Sequence, residues 1–119
     1  MTNYIWVTAQ KEMVHCYLNA PTEVDFLKNP HRHMFHFKVY IEVFHDNRDI
    51  EFILFKRWVE DTLVFIYGHG FQNKSCEMLS GLLAQQINIR YPNRKIKIEI
   101  SEDGENGTEF TYEKKHNKT

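Results

Sequence analysis

The histidines near the start of this chain have the spacing of metal ligands. His31 and His33 open a long β-favouring segment, 31–43, and because they are two residues apart both imidazoles project from one face of an extended backbone. Two imidazoles at a strand end bind a metal ion when a third ligand comes from elsewhere. The alternative is a polar strand start with solvated histidines, since His-x-His is a short motif with many chance matches.

His15 is the candidate for the third ligand. It lies in an earlier β-favouring run, where it shares a face with Met13 and Tyr17, and it meets His31 and His33 if the two strands are neighbours. Taken alone, His15 is more simply interpreted as a histidine on a half-buried strand.

Length and composition describe one ordinary globular domain. The 119 residues provide one core, so we predict a single domain over 1–119 with a polar tail at 114–119. The formal net charge of -1 gives no electrostatic argument for binding nucleic acid or a membrane. No segment approaches transmembrane length and no secretory pattern opens the chain, so we expect a cytoplasmic protein with Cys16 and Cys76 as free thiols.

Hydrophobic patterning predicts two strands in the first third of the chain. Runs at 4–8 and 13–18 favour extended structure, and the polar residues 10–12 between them are expected to loosen or turn the chain. From Phe35 to 43 apolar and polar residues alternate as in a half-buried strand. Residues 23–30 are predicted to form a loop or a short helical turn.

Two helices and a hairpin follow. Apolar residues recur at a helical period over 53–63, whereas 64–67 is more strand-like, so the end of this helix stays open. Ser75 is placed to cap a second helix. A strand at 95–102 and a partner at 108–113 form a hairpin. We therefore predict an α+β fold, a four-stranded antiparallel sheet with two helices on one face in the order ββααββ.

Five short motifs occur in order along residues 4–112. They are His15, sixteen residues before His31; His31-Arg32-His33; the segment Ile50-Glu51-Phe52-Ile53-Leu54-Phe55-Lys56; Ser75-Cys76-Glu77; and Ile98-Glu99-Ile100-Ser101-Glu102. Together with the element order, they resemble the 6-pyruvoyl- and 6-carboxy-tetrahydropterin synthase family, which has the tunnelling fold. The corresponding family motifs are a first zinc histidine, His-Gly-His, Val-Asp-Phe-x-x-Leu-Lys, Thr-x-Glu or Thr-Ser-Glu, and a strand that ends in a pterin-anchoring glutamate.

The resemblance implies a cofactor, a substrate class and an assembly. His15, His31 and His33 would hold one Zn²⁺ with an open fourth position, which is the arrangement of a catalytic zinc site. The substrate would be similar to dihydroneopterin triphosphate. The sheets of several copies would form an oligomeric barrel, a trimer or a hexamer, and the otherwise uncovered sheet face also favours a homo-oligomer.

The same resemblance assigns ligand-binding residues. Glu102 continues the inward register of the isoleucine strand, so its carboxylate needs a partner. That partner is either the N–H edge of a pterin or purine or the amides of the following turn. Ser75 and Glu77, at the start of the second helix, are expected to bind the same ligand. Arg32 replaces the family's glycine, and it either fills space beside the metal or binds a phosphate.

The proton-transfer residues of the family are only partly matched. Its cysteine, four residues before His-x-His, is Leu27 here. Its Leu-Asp-His relay falls near Glu60-Asp61-Thr62, which leaves Asp61 and the more distant His69 as catalytic candidates. Two functions therefore remain open. One is a zinc-dependent, synthase-like lyase with an altered mechanism, and the other is a non-catalytic protein that sequesters a pterin or purine nucleotide.

Overall fold

Four strands and two helices make up the residues that the computed structural model describes, which are 2–68 and 74–113. The strands are β1 (Asn3–His15), β2 (His31–Val43), β3 (Ile96–Glu102) and β4 (Asn106–Tyr112), and the helices are α1 (Phe52–Gly68) and α2 (Cys76–Arg90). A 3₁₀ segment, Thr22–Lys28, connects β1 to β2. The predicted α+β class and the order ββααββ are confirmed. The predicted polar tail at 114–119 lies outside the described residues.

The strands form one antiparallel sheet in the order β1-β2-β3-β4. The two helices come between β2 and β3 in the chain. In space α1 packs against β1, and α2 packs against β3 and β4. Along every strand the inward residues alternate with outward ones, because successive side chains of an extended backbone point to opposite faces.

The core lies between the inner sheet face and the helices. Its largest fully buried side chains include Phe35 and Phe37 of β2 and Phe55 of α1. The isoleucines of β3, at 96, 98 and 100, are buried beside them. Contiguous burial of apolar side chains is the main favourable term in folding, so this layer fixes the sheet against the helices.

Two predictions about element bounds are wrong. Residues 10–12 do not loosen the chain, because each is paired with a residue of the equally long β2. Gln10 and Glu12 project outward, whereas Lys11 lies on the helix side of the sheet with Nζ 5.1 Å from the centroid of the Tyr67 ring. Residues 64–67 are helical and not strand-like. Ile66 completes the buried stripe of α1, and this packing outweighs the weak β preference of the local sequence.

Side chains satisfy the first N–H groups of both helices. Glu51 accepts hydrogen bonds from the backbone N–H groups of Ile53 and Leu54 at the start of α1. Ser75 accepts one from Met78 N, which confirms the predicted cap of α2. Within the described part of the chain, neither helix has the length and apolar composition needed to cross a membrane.

An ion pair fastens the end of β2 to the segment that leads into β3. Arg94 lies 2.8 Å from Asp49, and it also donates to the carbonyl of Glu42. The Arg94 guanidinium, together with the N–H of Phe44, lowers the pKa of Asp49 to about 2. The charged carboxylate is therefore stabilised in the folded state.

We expect Asp49→Asn to destabilise the protein at neutral pH and to lose this effect in acid. A carboxylate with a lowered pKa stabilises the fold above its usual value of 3.8, and that contribution disappears as pH falls toward 2. Urea unfolding of the variant and the parent between pH 7 and pH 2 should show the two free energies of unfolding converging. Asp46→Asn, in the same exposed turn, is the control and should follow the parent throughout.

Candidate metal centre

The pairing of β1 with β2 brings the three histidines together. His15 is the direct cross-strand partner of His31, and Met13 is the partner of His33, so all three rings lie at one end of the two strands. The ring centroids are 4.5 Å apart for His15 and His31, 4.8 Å for His31 and His33, and 5.4 Å for His15 and His33. One ligand nitrogen from each residue lies within 4.8 Å of the other two, so the group could hold a metal ion.

Hydrogen bonds orient two of these rings toward a common centre. Nδ1 of His31 lies 2.8 Å from the carbonyl oxygen of Asn29, and Nδ1 of His33 lies 2.5 Å from Oδ2 of Asp103. Both oxygens only accept, so Nδ1 carries the proton in each ring and Nε2 keeps its lone pair. Metal-binding histidines typically donate their other ring N–H to a carbonyl or carboxylate in this way, because that hydrogen bond fixes both the tautomer and the orientation of the ring.

Asp103 is a site residue that the sequence interpretation missed, because the residue was treated only as part of a turn. It begins the β3–β4 turn with a φ of 57°, and its Oδ1 accepts a hydrogen bond from Met34 N at 2.8 Å. That N–H group and the His33 ring lower the pKa of Asp103, so it remains a carboxylate. The strand register could have found it, because the pairing of Phe35 with Glu102 places Asp103 opposite Met34, the neighbour of His33.

Glu102 lies against the histidines. One carboxylate oxygen is 3.6 Å from Nε2 of His15, and the other is 3.7 Å from Nε2 of His33. The Cys76 thiol approaches the same carboxylate, with Sγ 3.8 Å from Oε1. This position gives Glu102 access both to a metal held by the histidines and to a ligand bound next to it.

Burial changes the ionisation of two groups at this centre. Desolvation lowers the pKa of His15, although the nearby Glu102 carboxylate acts in the opposite direction. The fold thus favours the neutral imidazole that a metal requires. Burial, reinforced by the charge of Glu102, raises the pKa of the Cys76 thiol to about 12. Cys76 is consequently a protonated donor toward Glu102 near neutral pH and not a thiolate.

A cavity of about 570 Å³ opens beside the histidines, within the range of small-molecule sites. His15, His31 and Glu102 line it together with the N-terminal turn of α2. A concavity of about 590 Å³ lies elsewhere, where it includes Lys38 and Glu99 but none of the three histidines. We take the 570 Å³ cavity as the candidate site because histidines of the possible metal-binding group line it.

The other predicted site residues differ in whether they line this cavity. Ser75 and Glu77 line the cavity, as does Leu27. Arg32 does not line it, and its side chain forms an ion pair with Glu12 at 2.9 Å on the outer side of the strands. Asp61 lies on the exposed surface of α1 and is not a lining residue, and His69 lies outside the described residues.

Cys16 lines the cavity, although a regular strand would direct it away from His15. The strand ends at His15, and the chain then turns so that Tyr17 N donates a hydrogen bond to the carbonyl of Leu27 at 2.7 Å. Tyr17 lines the same cavity as His15. The Cys16 thiol and Leu27 thus line the same cavity.

Comparison with known proteins gave no match, either to a protein-family model or to a curated protein. The likeness of the motifs to the tetrahydropterin synthases therefore stays an expectation from sequence.

We expect the purified protein to bind one zinc ion per chain and His31→Ala to lose it. In tetrahedral geometry, Zn–N distances of about 2.0–2.1 Å place the ligand nitrogens roughly 3.3 Å apart, which small rotations of these rings can reach. Zinc should dissociate as pH falls through the histidine range, because a protonated imidazole cannot bind a metal. Elemental analysis after dialysis against zinc, at pH 7.5 and at pH 5, measures both effects.

Asp103→Asn should weaken zinc binding without abolishing it. It keeps the shape of the side chain but removes the charge behind His33, and loss of such a partner weakens metal binding by about 10–100-fold. His45→Ala, a histidine on the turn after β2, is the matched control and should bind zinc as the parent does. Parent protein that retains no stoichiometric zinc would contradict the assignment.

Proposed function

We propose that this protein is a divergent tunnelling-fold protein of the tetrahydropterin synthase type, with a zinc centre at His15, His31 and His33. The observation that supports this most strongly is the convergence of three imidazoles, two of them held through Nδ1, beside a carboxylate and a cavity of ligand size. These histidines would hold the zinc ion, which when bound would supply a Lewis acid for an oxygen of the ligand.

The ligand class follows from Glu102 and the start of α2. A half-buried carboxylate accepts two parallel hydrogen bonds, and the N–H edge of a pterin or guanine presents two donors at that spacing. Ser75 accepts the N–H of Met78, whereas a helix start has no intrahelical acceptors for the N–H groups of Cys76 and Glu77, which precede it. We propose that they bind the ring or a phosphate of a pterin or purine nucleotide, with the substituent directed to the histidines.

The proposal has an enzymatic form, in which the protein acts as a lyase on a substrate similar to dihydroneopterin triphosphate. This form requires a group that exchanges protons near neutral pH. Leu27 cannot do so, and the high pKa of Cys76 makes it a poor base. Cys16 lines the cavity and is the described thiol best placed for this role, while Asp61 and His69 remain candidates from the sequence.

The alternative form is a protein that binds the same ligand without turnover. It is favoured by a specific observation, the apolar side chain of Leu27 on the cavity wall where the family resemblance implies a cysteine. The two forms are separated by incubating zinc-loaded protein with dihydroneopterin triphosphate. Product formation that is lost in Cys16→Ser supports the enzyme, whereas stoichiometric binding without product supports the sequestering protein.

Glu102→Gln tests the ligand assignment. The substitution preserves shape but converts one acceptor into a donor, so we expect pterin or guanine nucleotide binding to weaken by about 1–3 kcal/mol, because buried donors then face one another. Glu105→Gln, on the adjoining exposed turn, is the control and should bind normally. Isothermal titration against a panel of pterins and nucleotides measures the change. Unaltered affinity in Glu102→Gln would exclude this pocket.

We further propose that the sheet closes into a ring with other copies. β1 and β4 are the edge strands, and an edge thirteen residues long, such as β1, offers unpaired backbone groups to another chain. Lys38 and the exposed Trp6 ring lie on the outer sheet face, with Nζ 4.3 Å from the ring centroid. In a closed ring this face would be turned inward.

We expect sedimentation at micromolar concentration to give a trimer or a hexamer of the 14.4 kDa chain. Replacing Thr8, in the middle of β1, with proline should reduce the mass, because proline cannot donate to a neighbouring strand and is disfavoured inside a sheet. Thr111→Pro, on the opposite edge strand, should act in the same way if β1 of one copy pairs with β4 of the next. A monodisperse parent monomer would refute ring closure.

A further inference from the structure

Glu102 lies close to two of the histidines, at distances longer than those of hydrogen bonds. Its Oε1 is 3.6 Å from Nε2 of His15, and its Oε2 is 3.7 Å from Nε2 of His33, whereas hydrogen bonds from nitrogen to oxygen span roughly 2.7–3.2 Å. Nε2 of His33 carries no proton, because this ring donates to Asp103 through Nδ1. A carboxylate oxygen and an imidazole lone pair, both acceptors, therefore lie next to one another.

The charge of Glu102 has weak partners among the described residues. The Cys76 thiol approaches it, with Sγ 3.8 Å from Oε1, and a thiol is a weak hydrogen-bond donor. Its ion-pair partners in the described part of the chain are the two histidines, and no lysine or arginine there pairs with it. The side chain is 23% exposed, so water solvates only part of the charge. A cation held between the carboxylate and the rings would compensate this charge.

We propose that Glu102 is the fourth ligand of the metal ion that His15, His31 and His33 would hold, and that it leaves the metal when a pterin or purine binds. Zinc sites with four protein ligands are closed, whereas sites with three keep a position for water or substrate. In tetrahedral geometry the ligand atoms lie roughly 3.3 Å apart, and the oxygens of Glu102 are already 3.6 and 3.7 Å from two of the histidine nitrogens. The protein would thus close its own metal site until the ligand arrives.

Metal and ligand compete for this carboxylate, a form of regulation that rests on the function proposed above. An oxygen bound to a cation accepts a hydrogen bond less strongly, so Glu102 makes its best two-bond contact with a ring N–H edge when it is off the metal. Ligand binding therefore favours an open metal site. By linkage, the factor by which the ligand weakens metal binding equals the factor by which the metal weakens ligand binding.

The visible absorption of cobalt(II), bound in place of zinc, tests the ligation because its d–d bands depend on the number and type of donor atoms. We expect Glu102→Gln to shift these bands and to weaken cobalt binding by more than Asp103→Asn does, for which the expected loss is about 10–100-fold. Asp103→Asn should leave the bands in place, since Asp103 contacts His33 and is not itself a ligand. Glu105→Gln, on the adjoining exposed turn, is the control and should match the parent in both measurements.

Bands that do not change in Glu102→Gln would overturn the proposal and leave the three-histidine centre intact. A thiolate-to-cobalt charge-transfer band in the parent that disappears in Cys16→Ser would overturn it as well, because the fourth ligand would then be that sulfur. A parent that binds no cobalt would overturn the metal centre together with this assignment.

Guanine tests the competition, since it presents an N–H edge without a substituent directed to the histidines. Isothermal titration should show weaker guanine binding to the zinc-loaded parent than to the zinc-free parent, and the lower affinity of Glu102→Gln should not depend on zinc. Equal affinities of the two parent forms would overturn the release of Glu102. A parent that binds no guanine in either form would overturn the release and the proposed ligand class together, and the cobalt bands would still decide the ligation.

Discussion

The structure depends first on the full-length pairing of β1 with β2. Thirteen residues on each side form an unbroken antiparallel ladder, and its last pair joins His15 to His31. A shift of one residue would turn every side chain to the other face, which would expose Phe35 and Phe37 and disperse the histidines. The burial of these phenylalanines therefore also fixes the register that assembles the candidate site.

The pairing of β2 with β3 places two carboxylates, those of Glu102 and Asp103, beside the histidines. Glu102 ends β3 opposite Phe35, so its carboxylate faces the histidines, and the following turn places Asp103 against His33. A polar cluster at the end of an apolar layer is stable only when each member has a partner. Here the hydrogen bonds of His31 and His33 leave one nitrogen of each ring directed to a shared centre.

The end of the sheet gathers titratable groups that must share a partly buried space. Hydrogen bonds hold His31 and His33 in place, and burial shifts the pKa values of His15 and Cys76 beside Glu102. Clusters of titratable groups with shifted pKa values in a cleft are candidates for functional sites.

Much of the fold, and the grouping of the three histidines, could be predicted from the sequence itself. Alternation in 35–43 and 96–102, helical periodicity, the Ser75 cap and the His-x-His spacing are local properties, so they predicted the element order and a three-histidine metal group. Three features depended on tertiary structure. The β1–β2 ladder kept the polar residues 10–12 extended, core packing extended α1 through Ile66, and the end of β1 at His15 brought Cys16 into the cavity. Asp103 beside His33 and Arg32 outside the cavity were likewise decided by contacts between residues distant in the chain, which local pattern does not encode.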